Sequence, residues 1–193
     1  MGTLDRAVLL WVVEHRVEWL DPLFIGLSLI GTAGVAWIAM APLAAFLGGR
    51  PPLRAFAFTA ATVWGADLAA QGLKALVDRP RPSEVLPQVD PLVGGTVGSS
   101  FPSGHSATSA AGAICLWLLL PKALPVFAAV AAGIAFSRIY VGVHYPSDVL
   151  VGLAVGAAFA LAFIALTGGR RHPRPPTGRA GWLRMSARRR RRQ

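Results

Sequence analysis

The chain has little charge and almost no cysteine. Only 15% of its 193 residues are charged, whereas 54% are hydrophobic, and the mean hydropathy is +0.53. This composition excludes the intrinsically disordered class and disfavours an ordinary soluble domain. The single cysteine, Cys115, lies in an apolar run, which excludes an intramolecular disulfide and a thiolate metal site. We expect Cys115 to be a small core residue.

Acidic residues are absent from the last 26 positions, and this absence explains the net charge of +10. Residues 1–167 carry nine basic and nine acidic side chains, which cancel, whereas residues 168–193 carry ten arginines. Only Trp182 places an aromatic ring in this basic run, so we expect no nucleic-acid partner. We predict a disordered cytoplasmic tail that contacts anionic lipid headgroups.

Long apolar segments make up most of the remaining chain. We predict five transmembrane helices, over residues 22–47, 55–77, 104–120, 123–140 and 146–166. Pro42 is expected to kink or end the first of them. The predicted fold is therefore an all-α integral membrane bundle.

Residues 4–20 place apolar and charged side chains at helical spacing. This pattern predicts an amphipathic helix in the membrane interface, anchored by Trp11 and Trp19. A sixth transmembrane helix is the alternative, which the charges in the second half of the segment disfavour. The predicted parts are thus the N-terminal helix (1–21), the transmembrane domain (22–167) and the tail.

Basic residues flank the predicted helices mostly on one side, which is also the side of the tail. Under the positive-inside rule this predicts a multi-pass protein of the plasma (inner) membrane with a cytoplasmic C-terminus. The loop at 78–102 and the turn at 141–146 then share the external face. Arg79, Arg81 and Arg138 lie at that face against the trend, which indicates an anionic ligand there.

Two polar clusters contain histidine at the start of an apolar segment. His144 and Asp148 are four residues apart, so the carboxylate can fix the imidazole tautomer and leave one ring nitrogen as a nucleophile or base. An ordinary helix start with an acidic first turn explains this pair equally well. Ser103-Gly104-His105 can cap a helix, offer backbone N–H groups to an oxyanion and supply a proton donor. A capped helix with an interfacial histidine is the equal alternative.

Three cations lie beside these histidines: Lys74, Arg81 and Arg138. Together they can hold the oxygens of a phosphate, with arginine binding through two N–H groups and lysine as a point charge. The alternative is that they extend to lipid headgroups, which would be the better explanation for Lys74 taken alone.

The full pattern is K-x6-R-P from Lys74, then P-S-G-H ending at His105, then S-R-x5-H-x3-D ending at Asp148. It resembles the type 2 phosphatidic acid phosphatase (PAP2) superfamily over about residues 20–166. The resemblance implies that His144 attacks phosphorus and forms a phosphohistidine supported by Asp148, while His105 protonates the leaving group. It implies that five residues hold the phosphoryl oxygens: Lys74, Arg81, Ser103, Gly104 and Arg138. No metal and no other cofactor is expected.

The resemblance implies an enzyme that hydrolyses a phosphate monoester or pyrophosphate of a lipid at the external leaflet. Candidate substrates are undecaprenyl pyrophosphate, phosphatidylglycerol phosphate, phosphatidic acid and a polyprenyl-phosphosugar phosphate. A lipid phosphotransferase with the same site stays open. So does a non-catalytic phospholipid binder or transporter, although a binder does not need the two histidines. A vanadate-dependent haloperoxidase is disfavoured by the apolar segments, and self-association into a homo-oligomer is left open.

Other polar residues have simpler interpretations. Asp67 is expected to make a structural polar contact, with Lys74 or with a neighbouring helix. Asp78 and Arg79 are expected to form a solvated interfacial pair. The two tyrosines, Tyr140 and Tyr145, are expected in the aromatic belt of the membrane.

Overall fold

The structure, a computed structural model, describes residues 2–94 and 98–168. These residues contain helices and no β-strand, which confirms the all-helical prediction for this part of the chain. The chain divides into two compact units, residues 1–163 and residues 164–193. The first unit contains the site discussed below, and of the second the structure describes only 164–168. The predicted tail therefore lies outside the described residues, apart from Gly168.

Helices of different lengths follow one another along the chain. They are α1 (Thr3–Glu14), α2 (Asp21–Ile30), α3 (Val35–Leu47), α4 (Pro52–Val77), α5 (Pro82–Val85), α6 (Gly104–Leu119), α7 (Leu124–Tyr140) and α8 (Pro146–Thr167). Short 3-10 turns precede α2, α3 and α7, at Glu18–Leu20, Thr32–Gly34 and Pro121–Ala123.

Two helical segments in the described part are long and apolar enough to cross a membrane. They are Pro121–Tyr140 and Pro146–Thr167, with mean hydropathies of 1.6 and 2.7. Glu18–Ile30 and Thr32–Leu47 qualify together as a third segment, bent by 53°. Helix α6 is not among these membrane-length segments, because it has only 16 residues. Helix α4 is long enough but is not among them either, because it contains polar residues. The predicted number of five spans is therefore not confirmed.

The prediction that the helix ends at Pro42 is wrong, whereas the alternative of a kink there stays a prediction. Helix α3 continues through Pro42 to Leu47, and the break lies earlier, at Thr32–Gly34. There Ala33 and Gly34 adopt left-handed backbone angles, with φ of 51° and 67°. A Cβ on Gly34 would collide with Val63, so the bend also brings the backbone close to α4.

Helix α6 lies inside the bundle, because it packs against α3, α4 and α7. Glycines bring α8 against it as well. Gly152 and Gly156, one turn apart, face the backbone of Ser103 and Ala107, and a Cβ on either glycine would overlap that backbone. Small residues at this spacing let two helices approach closely. The starts of α6 and α8 are consequently held side by side. Cys115 of α6 is 1% exposed, which confirms its placement in the core.

The N-terminal helix is shorter than predicted, since α1 ends at Glu14 and only a 3-10 turn follows at Glu18–Leu20. Its buried residues Leu9 and Val12 join the same apolar cluster as Ile139 of α7. Trp11 is 62% exposed, on the side away from this contact. One face of α1 is thus committed to the protein.

Candidate active site

The three sequence clusters meet at one cavity of about 610 Å³. Its lining comes from α4, the following loop, the 3-10 turn before α3, the start of α6, the end of α7 and the turn before α8. Six predicted site residues line it: Lys74, Arg81, Gly104, His105, Arg138 and His144. The other two, Ser103 and Asp148, do not line it and are fully buried.

His144 lies in the turn before α8, and Asp148 lies in the first turn of that helix. Both are buried, at 2% and 0% exposure. The Nδ1 of His144 is 3.6 Å from Oδ2 of Asp148, slightly beyond hydrogen-bonding distance, and has no hydrogen-bond partner among the described residues. The same carboxylate oxygen accepts a hydrogen bond from the backbone N–H of Tyr145 at 2.9 Å. Because Nδ1 faces Asp148, Nε2 lies at the opposite edge of the ring.

The surroundings of His144 keep its imidazole neutral. Burial lowers the pKa of His144 to about 4, although Asp148 opposes this fall. The guanidinium groups of Arg138 and Arg81 lower the pKa further. At neutral pH one ring nitrogen therefore has a free lone pair, as nucleophilic attack requires.

Ser103 is the N-cap of α6. Its Oγ accepts a hydrogen bond from the backbone N–H of Ser106 at 3.4 Å and another from the Ser106 hydroxyl at 3.0 Å. The backbone N–H of Ser103 donates to the carbonyl of Asp148 at 2.9 Å, which links the second cluster to the third. The predicted contact between Ser103 and phosphate stays a prediction, since its hydroxyl is used within the first turn. Gly104 and His105 come next and line the cavity.

Two of the three cations are oriented by backbone carbonyls. Lys74, near the end of α4, donates from Nζ to the carbonyl of Ser99 at 2.7 Å. Arg81 donates from Nε to the carbonyl of Gly98 at 2.9 Å and from Nη1 to the carbonyl of Val143 at 3.1 Å. These carbonyls hold both groups at the cavity without neutralising their charge.

Arg138, in the last turn of α7, is 4% exposed. Its Nη1 donates to the hydroxyl of Ser28 on α2, and its Nε has no hydrogen-bond partner within the described ranges. Lys74 and Arg138 form no salt bridge in this part of the chain. Positive charge without a carboxylate partner, in a cavity, favours an anionic ligand.

The prediction that Arg79 forms a solvated interfacial pair with Asp78 is wrong. Its side chain is 13% exposed, and its Nη1 and Nη2 each lie 2.6 Å from a carboxylate oxygen, of Asp148 and Asp5 respectively. The guanidinium also lies over the ring of Tyr145, 4.0 Å from its centroid. Sequence reasoning missed Asp5 altogether, since no local pattern relates it to a partner 74 residues away.

Asp5 also binds the start of α8. Its Oδ1 accepts from the backbone N–H of Ser147 at 2.8 Å, and its Oδ2 accepts from the Ser147 hydroxyl at 2.6 Å. Burial opposes ionisation, but the hydrogen bonds from Ser147 and Arg79 outweigh it and lower the pKa of Asp5. We call Asp5, Arg79, Ser147 and Asp148 the support cluster. It lies on the side of His144 that faces away from Nε2.

The predicted placement of both tyrosines in the aromatic belt is wrong. Tyr140 is 4% exposed and Tyr145 is 0% exposed. The hydroxyl of Tyr140 donates to Asp21 at 2.7 Å, while the ring of Tyr145 is covered by Arg79. Both rings are therefore used inside the protein, where they connect the segments around the site.

Asp67 faces the cavity, where its charge lies close enough to Lys74 to interact with it. It lines the cavity with Gln71, and its Oδ1 is 3.0 Å from the position that a Cβ on Gly104 would occupy. It forms no salt bridge within residues 2–94 and 98–168. The lining is thus cationic around His144 and acidic beside Gly104.

The described residues contain no group of three histidine, cysteine, aspartate or glutamate side chains that could hold a metal ion. The expectation of a metal-free reaction stays a prediction. A helical protein with membrane-length apolar segments, and with two histidines among lysine and arginine in one cavity, belongs to the class of membrane proteins that handle phosphate.

The sequence comparisons identify the family. The family model described as the PAP2 superfamily matches residues 52–172, more than half of the chain, and the chain belongs to this superfamily. A decaprenylphosphoryl-5-phosphoribose phosphatase of Mycobacterium tuberculosis is 35% identical over 149 residues, covering 77% of this chain and 81% of that protein. The resemblance predicted from the three clusters is therefore confirmed.

A second relative matches over a shorter length. A lipid A 1-phosphatase of Rhizobium johnstonii is 40% identical over 104 residues, covering 52% of this chain and 43% of that protein. The chain thus spans less than half the length of this relative. Among solved structures, a transmembrane PAP2-type phosphatidylglycerolphosphate phosphatase from Bacillus subtilis has a TM-score of 0.72 at 24% identity, over 89% of this chain and 88% of that chain. That likeness shows a shared fold.

Proposed function

We propose that this protein is a membrane lipid phosphatase that works through a phosphohistidine on His144. The observation that carries the proposal is the shared cavity. His144 and His105 line it together with Lys74, Arg81 and Arg138, and Asp148 lies directly behind His144. A protein that only binds phosphate needs the cations, but it does not need two histidines with a carboxylate behind one of them.

In the first step, Nε2 of His144 attacks phosphorus and the bond from phosphorus to the leaving oxygen breaks. His105 gives a proton to that oxygen, so the lipid departs as an alcohol or, from a pyrophosphate, as a phosphate. The imidazole becomes cationic as the N–P bond forms, and Asp148 stabilises the new charge at Nδ1. The cations around the cavity stabilise the charge on the phosphoryl oxygens.

In the second step, water attacks the phosphohistidine. His105, which has lost its proton, removes one from this water, the P–N bond breaks, and His144 returns to its neutral form. Inorganic phosphate leaves the cavity and His105 is again protonated. The bonds and protons balance without a metal ion or another cofactor.

The acidic part of the lining favours one substrate class. Asp67 and Gln71 accept hydrogen bonds from hydroxyl groups, whereas Asp67 repels a second phosphate group. We therefore favour a lipid phosphate monoester whose leaving group bears hydroxyls, such as a glycerol or a sugar, over a lipid pyrophosphate. Two relatives support this choice by name, a lipid A 1-phosphatase and a decaprenylphosphoryl-5-phosphoribose phosphatase.

A substitution at Asp67 tests the substrate class. Asp67→Asn should raise kcat/KM for a polyprenyl pyrophosphate relative to a phosphosugar monoester by roughly fivefold, because about 1 kcal/mol of like-charge repulsion is removed. Glu18→Gln, at an exposed acidic residue, is the matched control. An unchanged ratio in Asp67→Asn would contradict the acidic selection.

The membrane placement is also part of the proposal. The site faces the external leaflet and the C-terminus is cytoplasmic, with α4 and α6 crossing the membrane beside the three apolar segments. Support comes from the basic residues on the opposite side of the bundle, among them Arg50, Arg54 and Lys122. A phosphatase reporter that is active only outside the cytoplasm should be inactive when it is fused to the C-terminus. A reporter that is active externally would overturn this orientation.

Phosphate release tests the activity itself. Purified protein in detergent with EDTA should release inorganic phosphate from at least one of the candidate lipids. With a ³²P-labelled substrate and an alkaline quench, label should be found on His144 by peptide mapping. His15→Ala, at an exposed histidine of the N-terminal region, should behave like the wild type. Protein that is inert on the whole panel would refute the phosphatase, and label passed to a lipid alcohol instead of water would establish phosphotransfer.

A further inference from the structure

Arg79 is placed between two carboxylates on the side of Asp148 that faces away from the cavity. Its Nη1 is 2.6 Å from Oδ1 of Asp148, and its Nη2 is 2.6 Å from Oδ2 of Asp5. The three side chains are at most 13% exposed. Solvent therefore screens these charges only weakly, and each affects the others strongly.

The two oxygens of Asp148 have different partners. Oδ1 faces Arg79, whereas Oδ2 accepts from the N–H of Tyr145 and lies 3.6 Å from Nδ1 of His144. The bond to Arg79 fixes the rotation of the carboxylate, and that rotation points Oδ2 at the imidazole. Arg79 thus affects the orientation of the group behind the nucleophile without touching the cavity, which it does not line.

An arginine this close would also cancel the charge of Asp148. Asp5 compensates for the charge of Arg79. The summed formal charge of Asp5, Arg79 and Asp148 is one negative charge, the same as that of Asp148 alone. Asp5 in turn is held by two hydrogen bonds to Ser147, the residue before Asp148. The orientation of Asp148 and its net charge therefore both depend on the N-terminal helix.

We infer that Asp5 and Arg79 are positioning residues that aim Asp148 at His144 and preserve a net negative charge behind it while the imidazole becomes cationic. This inference rests on the phosphohistidine mechanism proposed above. It assigns to α1 a part in the reaction, although α1 contributes no residue to the cavity. The inference does not alter which residues are proposed to bind the phosphoryl group.

A charge cycle tests the inference. Asp5→Asn leaves Arg79 uncompensated, so kcat should fall about 10- to 100-fold, by analogy with residues that orient metal ligands through hydrogen bonds. KM should stay within about twofold, since the cavity cations are intact. Adding Arg79→Gln to Asp5→Asn restores one net negative charge on Asp148 but not the bond that orients it. We therefore expect kcat of the double variant to recover at least fivefold over Asp5→Asn and to stay below that of the wild type.

The controls separate positioning from folding. Glu14→Gln removes an exposed carboxylate from the same helix and should leave kcat unchanged. Thermal unfolding in detergent is measured for every variant. If the two residues only stabilise the fold, the double variant should be no more active than Asp5→Asn, and that result would overturn the inference.

Vanadate binding gives a readout that does not require turnover. Orthovanadate mimics a phosphoryl group bound to a histidine, and its affinity, measured by thermal shift, should weaken in Asp5→Asn and recover in the double variant. If the wild type is inert on all lipids but shows this pattern, the positioning inference stands and the phosphatase fails. If the wild type hydrolyses lipids and no variant changes kcat or vanadate affinity, the positioning inference fails alone. A wild type that neither hydrolyses lipids nor binds vanadate would refute both.

Discussion

Arg79 and Arg81 are two residues apart in the chain and lie in opposite electrostatic surroundings. Arg81 lines the cavity and is oriented by backbone carbonyls. Arg79 belongs to the support cluster and is oriented by the carboxylates of Asp5 and Asp148. His144 lies between the two regions, with Nε2 on one side and Nδ1 on the other. A site can thus hold positive charge for its ligand and negative charge for its nucleophile within a few residues.

The difference lies in how each charge is balanced. Carbonyl groups orient Lys74 and Arg81 as dipoles and carry no net charge that would neutralise them. In the support cluster full charges compensate each other, so that one negative charge remains beside His144. We therefore expect substitutions around the cavity to change both substrate binding and rate, and substitutions in the support cluster to change rate alone.

The largest effect should follow from removing the residue that joins the two regions. His144→Ala should lower kcat by about 10⁴-fold or more, as loss of a nucleophile does in other enzymes. Substrate binding should persist, because the cations remain in place. Equilibrium binding of labelled lipid and a turnover assay measure the two quantities. Turnover near that of the wild type would remove His144 from its proposed role.

A smaller effect is expected on the cavity side. Arg138→Lys keeps the positive charge but loses the planar, two-pronged donor, so kcat/KM should fall about 10²-fold, with KM raised. Arg54→Lys, at an exposed arginine, is the control. If Arg138→Lys lowers kcat and leaves KM unchanged, the contrast between the cavity and the support cluster is wrong.

The pH dependence should show the low pKa of His144. Burial lowers this pKa to about 4, so His144 stays neutral, and able to attack, down to that pH. As the pH falls through about 4 the ring is protonated and its nucleophilicity is lost. After correction for ionisation of the substrate and of His105, which must carry a proton to act as the acid, kcat/KM should be flat from pH 7 to about 5. A fall centred near 6.5, the usual imidazole value, would contradict the buried, neutral ring.

The smallest effect is expected at Tyr145, which lies under Arg79. Its hydroxyl is buried and has no hydrogen-bond partner among the described residues, so Tyr145→Phe should leave the unfolding free energy unchanged or raise it by up to ~1 kcal/mol. Tyr140→Phe is the matched comparison, because that hydroxyl donates to Asp21. It should cost about 1–2 kcal/mol, since Asp21 is charged. Equal effects in thermal unfolding would show that the two hydroxyls do not differ.

The cavity residues could be predicted from the sequence because each cluster has a local signature. Lys74 and Arg81, or His144 and Asp148, are separated by a few residues at the end of an apolar run, and such spacing is visible without a structure. The support cluster could not be predicted, since Asp5 and Ser147 are 142 residues apart and each looks like an ordinary surface residue. The bend before α3 was missed for a related reason. Left-handed angles at Ala33 and Gly34 depend on packing against α4, whereas Pro42 gave a misleading local signal.

The contact between Asp5 and Ser147 has a consequence for how the protein is made. The chain is synthesised from its N-terminus, so α1 exists long before the residues that it holds. His144 lacks its carboxylate until Asp148 has been made, and Asp148 lacks its proposed orientation until α8 has docked on α6 and α1 has closed over its first turn. The site is thus completed by the joining of two helices whose contacting residues, Asp5 and Ser147, are 142 residues apart in the chain. In the proposed mechanism, a nascent chain has no competent nucleophile before these two helices have joined.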